Sequence, residues 1–191
     1  MRKIAIIISG TLLLASSSFI SSSASAAVGR HCAYRLAPVG AVRGGITRAR
    51  LNLVGCFATF PEALFAGSGG AIRVPRGTTP ASLTDRQLRS GTTPTGRASV
   101  LIGTEYDLTS FAGGSYDFFA SSTCTASTTW QVANVGALWN DRFESGTGFG
   151  GCHTNKKFRN TNFGGTVVTC TPTCSNYGAL NNQVSSLRWR V

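Results

Sequence analysis

The chain has 191 residues, six cysteines and a formal charge of +11 at neutral pH, which leaves room for one or two small domains and nothing larger. Past the first 27 residues the most apolar stretch, Leu51 to Ala66, is interrupted by Pro61 and Glu62. That excludes a transmembrane helix there.

At the start, Arg2 and Lys3 precede a nearly continuous apolar run from Ile4 to Ala15, and small residues fill Ser21 to Ala27. A charged, then apolar, then small-residue order predicts a signal peptide over residues 1–27, cut after Ala26 or Ala27. A membrane anchor is the competing reading, but the run is short for a span and a cleavage site follows it directly. The mature protein is expected to be secreted and extracellular, with sixteen basic and seven acidic residues. All six cysteines follow the leader. An even number in an exported chain predicts three disulfides. Of the fifteen possible pairings, Cys32 with Cys56, Cys124 with Cys152 and Cys170 with Cys174 is the expectation. No two cysteines show the two-residue spacing of a zinc site.

Residues 28–97 form a basic, arginine-rich N-terminal region. From Val28 to Val100 there are ten arginines, no lysine, and only Glu62 and Asp85 as acids. Ile46 to Val54 alternates, with Ala49, Leu51 and Leu53 on one side and Arg48, Arg50 and Asn52 on the other, which predicts a half-buried strand. Thr59-Phe60-Pro61-Glu62 is a capping box that opens a short helix ending at Gly67. A second helix is predicted from Pro80 to Arg89, capped by Thr79 and stopped by Gly91. Gly91 to Gly96 has the composition of a connector. A small α+β unit results. Its arginines are scattered singly, without the aromatic interleaving or dense runs of a nucleic-acid site. A solvated face is expected, with no specific nucleic-acid partner.

Residues 98–191 are rich in Gly, Ser, Thr, Asn and aromatics, which points to an all-β unit. They contain an internal repeat. Tyr106, Phe111 and Gly113 stand at the same spacing as Phe158, Phe163 and Gly165. Each copy is followed by a second shared feature, Asn140-Asp141-Arg142-Phe143-Glu144-Ser145 in the first and Asn181-Asn182-Gln183-Val184-Ser185-Ser186 in the second. From first aromatic to first Asn is 34 residues in one copy and 23 in the other, so the first carries an extra loop around Cys124 to Trp130. Leu187, Trp189 and Val191 alternate against Ser186, Arg188 and Arg190 as a closing strand.

The aromatic-x4-aromatic-x-Gly hairpin followed by an Asn/Asp pair and Ser/Thr-Ser, twice in tandem, resembles the βγ-crystallin superfamily. The resemblance covers about residues 101–191. It implies a mainly β fold: a C-terminal sandwich of two Greek keys, preceded by the small α+β region. Exported members with disulfides are similar to bacterial proteins classed as peptidase inhibitors of secreted metalloproteases. The resemblance therefore implies a non-catalytic, monomeric protein-binding module whose partner is an extracellular protease. A basic antimicrobial or killer-toxin-like protein acting at cell surfaces is the alternative.

The resemblance also implies Ca2+ as a cofactor. Its ligands would come from Asn140, Asp141, Arg142 and Glu144 in the first turn and Asn181, Asn182, Gln183 and Ser185 in the second, completed by backbone carbonyls. Calcium takes six to eight hard oxygens in flexible geometry, and tight turns can offer several at once. Glu144 departs from the Ser/Thr of the family pattern. The bland reading is that these residues make turn hydrogen bonds only, and both readings stand. For catalysis, His31 and His153 adjoin Cys32 and Cys152, Ser68 lacks the first glycine of a nucleophile elbow, and Glu105, Asp107 and Asp117 read as turn chemistry rather than a hydrolytic pair. No enzyme activity is expected.

Overall fold

The computed structural model describes residues 31–40, 43–89 and 99–191. The expected signal peptide and the boundary drawn between residues 97 and 98 lie outside the described residues.

Strands β1 (His31–Pro38) and β2 (Ile46–Phe57) form an antiparallel hairpin, followed by helix α1 (Phe60–Gly67) and the five-residue helix α2 (Asp85–Arg89). The first repeat supplies β3 (Val100–Tyr106), β4 (Ser115–Ala120), β5 (Thr129–Val132) and β6 (Ser145–Gly148). The second supplies β7 (Thr154–Phe158), β8 (Val167–Cys170), β9 (Thr173–Cys174) and β10 (Ser186–Arg190). Among the described residues these ten strands make one sheet in the order β8-β7-β10-β5-β2-β1-β4-β3-β6-β9. Each repeat lends its third strand to the other: β5 lies beside β10, and β9 lies beside β6. That exchange makes two interlocked Greek keys. The hairpin β1–β2 fills the gap between them, parallel to β4 on one flank and to β5 on the other. Elements on both sides of residues 90–98 thus share one sheet.

The inner face carries the main core. Phe118 and Leu187 come from opposite halves, and the Phe118 and Trp189 rings lie 5.0 Å apart. Closeness there depends on Gly103, since a Cβ at that position would run into the Trp189 indole. The outer face is divided. Over β1, β4 and the end of β2 it is covered by α1, whose Phe60, Ala63 and Leu64 pack on Ala33, Leu101 and Phe119. The helix starts as predicted, with the Thr59 and Glu62 side chains capping each other's backbone N–H groups. At its far end the Arg35 guanidinium donates to the carbonyls of Gly67 and Ala66, both at 3.1 Å, a favourable place for a cation. Over β10 and β7 the outer face carries the Thr161–Phe163 turn of the second hairpin.

All six cysteines pair: Cys32–Cys56 within the hairpin, Cys124–Cys152 between two connections, and Cys170–Cys174 between the terminal strands β8 and β9. The last bond brings the two ends of the sheet together. Three disulfides fit maturation in an oxidising compartment. No helix among the described residues is long and apolar enough to cross a membrane.

Three local expectations are corrected. The helix predicted over Pro80–Arg89 is two pieces, a 3-10 turn at Pro80–Ser82 and α2, with Leu83 extended between them. Thr84 restarts the chain, because its N–H and hydroxyl both bind the Gln87 side chain and compete with helix continuation. Leu53 is 54 % exposed although it shares a face with Ala49. The reason is that β5 flanks β2 only from Ile46 to Ala49 and a bulge follows at Val54. Val191 is exposed because β10 ends at Arg190.

Candidate functional site

The two aromatic hairpins share one geometry. The Tyr106 and Phe111 rings sit 5.5 Å apart at 71°, and those of Phe158 and Phe163 sit 5.5 Å apart at 74°. In both hairpins a 3-10 turn puts two non-glycine residues at positive φ, Ser110 and Phe111 in one and Asn162 and Phe163 in the other, and Gly113 and Gly165 follow at φ 77° and 73°. Such left-handed positions cost L-residues energy and persist only when the surroundings fix them. Here the last serine of each later motif does so. Ser145 Oγ accepts from Phe111 N (3.1 Å) and donates to Leu108 O (2.6 Å); Ser186 Oγ accepts from Phe163 N (3.0 Å) and donates to Asn160 O (2.7 Å). Both hydroxyls are fully used in locking the hairpins.

The two Asn/Asp turns stand against each other. Asp141 N donates to Val184 O and Asn182 N to Phe143 O, at 3.2 and 3.1 Å, so each turn binds the other's backbone reciprocally. Asp141 and Asn182 are the matching positive-φ residues, at 60° and 54°. The side chains also meet across the pair, since Asn182 Nδ2 donates to Glu144 Oε1 at 2.5 Å. In the repeat Asp141 and Ser185 are the counterparts of Asn182 and Glu144, and the Ser185 N–H is spent on Phe158 O.

The other predicted residues divide by environment. Asn140 donates from Nδ2 to Asp141 Oδ2 (2.7 Å), and Asn181 Oδ1 caps Tyr177 N (3.0 Å). Gln183 Oε1 is buried without a hydrogen-bond partner. The Arg142 guanidinium lies 5.9 Å from the Trp139 ring centroid, and a cation offers no electron pair to a metal. Among the described residues no three His, Cys, Asp or Glu side chains cluster as a metal centre. The donor set still suits a weakly held hard cation. The facing turns offer two carboxylates, Glu144 beside Asn182 and Asp141 beside Asn140, and calcium accepts amide, hydroxyl and carbonyl oxygens for the remainder.

The acids Glu105, Asp107 and Asp117 do not come together. Asp107 Oδ1 accepts from Gly114 N at 2.7 Å. Asp117 points outward under the α1 layer, where Thr104 Oγ1 (2.9 Å) and Ser115 Oγ (3.1 Å) donate to it, and Ser115 Oγ also bonds His31 Nδ1 at 2.8 Å. Burial pushes the Asp117 carboxyl up to about 7, moderated by the two hydroxyls. In this chain the fully buried serine lies between acid and imidazole, whereas a nucleophile requires the imidazole between them. Ser68 Oγ is taken by Phe65 O and Ile72 N. Glu105 points inward, accepting from Lys157 Nζ and from the Tyr177 hydroxyl, and both ionic groups are fully buried.

That pair was not foreseen. Its signal was present, because Glu105 and Lys157 precede the equivalent aromatics Tyr106 and Phe158. One repeat position carries opposite charges, which meet across the pseudo-twofold axis.

No protein-family profile and no curated protein sequence matches this chain. Solved structures similar to it include an archaeal βγ-crystallin (24 % identity, 47 % of this chain and 96 % of that one, TM-score 0.34). A double mutant of a βγ-crystallin domain from Clostridium beijerinckii is also similar (20 %, 46 % and 96 %, 0.36), as is the N-terminal domain of Protein S (19 %, 46 % and 93 %, 0.35). With their strand exchange, paired aromatic hairpins and facing turns, β3 to β10 make a mainly β unit of two interlocked Greek keys, and the hairpin β1–β2 joins their sheet.

Proposed function

We propose that this chain is a secreted, non-catalytic binding module of βγ-crystallin type, held by disulfides and by weakly bound Ca2+, and that it acts as a peptidase inhibitor or related protein-binding partner. The observation that supports this reading is the meeting of Asn182 and Glu144 across the two turns. It assembles oxygen donors from separate repeats at one place, where a cation would tie the repeats together. Glu144 with Asn182 would hold one ion, and Asp141 with Ser185 the other. With one carboxylate per site, affinity on the order of micromolar to millimolar is expected.

A ligand that binds only the folded state stabilises it by about 2.7 kcal/mol at a hundred times its dissociation constant. The melting midpoint should therefore rise from chelator to millimolar Ca2+, and Glu144→Ala and Asp141→Ala should each remove part of the rise. An unchanged midpoint together with a flat calorimetric titration would reject the metal. Inhibition assays against a secreted metalloprotease and a subtilisin-type protease test the partner, and no inhibition of either would reject the peptidase-inhibitor reading.

A further inference from the structure

Beside the Thr161–Phe163 turn, the outer face of β7, β10, β5 and the first half of β2 gathers cations from distant parts of the chain. Strand pairing puts Lys156 opposite Arg188, Arg188 opposite Gln131, and Gln131 opposite Arg48, one row across four strands. Directly opposed residues share a face, and residues two apart along a strand return to it. Arg190 and Arg50 therefore join the same face. Leu187, Trp189, Trp130 and Val132 between them are all in the core, while Arg48, Arg50 and Arg190 are exposed, Lys156 and Arg188 half-buried, and Gln131 in the middle of the row is buried. With strands about 4.8 Å apart and alternate residues about 7 Å apart, five positive charges form a shallow grid. None of the five has an ion-pair partner among the described residues, where the ion pair is Lys157–Glu105.

The chemistry of the face narrows its occupant. Phe158 and Phe163 are already stacked by Arg188, whose guanidinium carbon lies 5.3 and 4.9 Å from their ring centroids, so these rings are not open to bases. Partial burial first, and the like charge of Arg190 second, hold Arg188 below its usual pKa range, a repulsion that an anion would relieve. Its buried Nε has no hydrogen-bond partner.

We infer that this face binds a flexible, linear, phosphate-bearing polyanion that lacks bases, of the kind displayed on cell surfaces. Recognition is by the spacing of charges across the four strands, without stacking on bases and without membrane insertion.

The test uses long-chain inorganic polyphosphate and the mature, disulfide-bonded protein. Binding is measured over a salt series for wild type, for Arg48→Gln/Lys156→Gln/Arg190→Gln, and for Arg73→Gln/Arg76→Gln/Arg86→Gln, which removes equal charge from the segment around α1 and α2. Arg188 is left in place because it packs on the rings, and circular dichroism checks that each variant folds. The expected result is a loss of about tenfold or more at low salt for the first variant, with its log-affinity against log-salt slope smaller by about 2, since each phosphate contact contributes about 0.7 for a single flexible strand. The second variant should keep the wild-type slope. Equal losses in both variants, or none in the first, would overturn the inference. So would tighter binding to single-stranded DNA of matched charge, or binding confined to vesicles containing phosphatidylglycerol.

Discussion

Lys157→Met is expected to cost about 3–5 kcal/mol of unfolding free energy, measured by urea denaturation, and Lys157→Met/Glu105→Leu to recover most of that loss. Both side chains of the pair are fully buried, and Tyr177 donates to the other Glu105 oxygen. Burial pushes the Glu105 carboxyl up and the Lys157 ammonium down, each opposed by its partner. The pair offsets a desolvation cost that neither member could bear singly. Removing the lysine alone leaves a fully buried carboxyl with the Tyr177 hydroxyl as its donor, where it is held neutral. Stability of the single variant should then fall as pH rises above the ordinary carboxylate range, because only the unfolded chain ionises freely there. Replacing both groups by apolar side chains removes the charge and keeps the volume, a change that is often neutral or stabilising. A single variant within about 1 kcal/mol of wild type, or a double variant no better than the single, would contradict this account.

Asp117→Asn should change how stability depends on pH. The folded carboxyl titrates at about 7 against 3.8 for an unperturbed group. The folded state therefore holds its proton where the unfolded chain has lost it. Stability from this group is present below about pH 4 and is lost as pH rises towards 7, by an amount on the order of 4 kcal/mol. The asparagine side chain would keep an acceptor for Thr104 or Ser115 and cannot ionise. The difference in unfolding free energy between variant and wild type, measured from about pH 4 to 8, should rise with pH and level off above about 7. A difference independent of pH would show that Asp117 ionises normally. The groups facing it are Thr104 and Ser115, with His31 beyond the serine and Tyr106 close enough for the two to interact electrostatically.

These two sites differ in how far they could be read beforehand. Asp117 lies in Ser115–Ala120, whose buried outward side depends on α1, an element far earlier in the chain. Lys157 sits beside Lys156 in sequence, and nothing local separates them. Strand alternation sends one lysine to the solvent side and the other to the centre of the core. The repeat comparison could have singled out Lys157, whereas only packing singles out Asp117.

Features settled within a few residues were legible in the sequence by itself: the Thr59 capping box, the paired aromatic-glycine hairpins, and the turns at Asp141 and Asn182. Their conformations follow from local hydrogen bonds and from the φ each residue can adopt. Tertiary structure decided the rest. Placement of β1–β2 between the Greek keys, the meeting of Glu105 with Lys157 and the collection of scattered arginines on one face all require knowing which strands are neighbours. Neighbour choice is a contest among whole-sheet arrangements, decided by the summed burial of both faces, so no stretch of a few residues carries it.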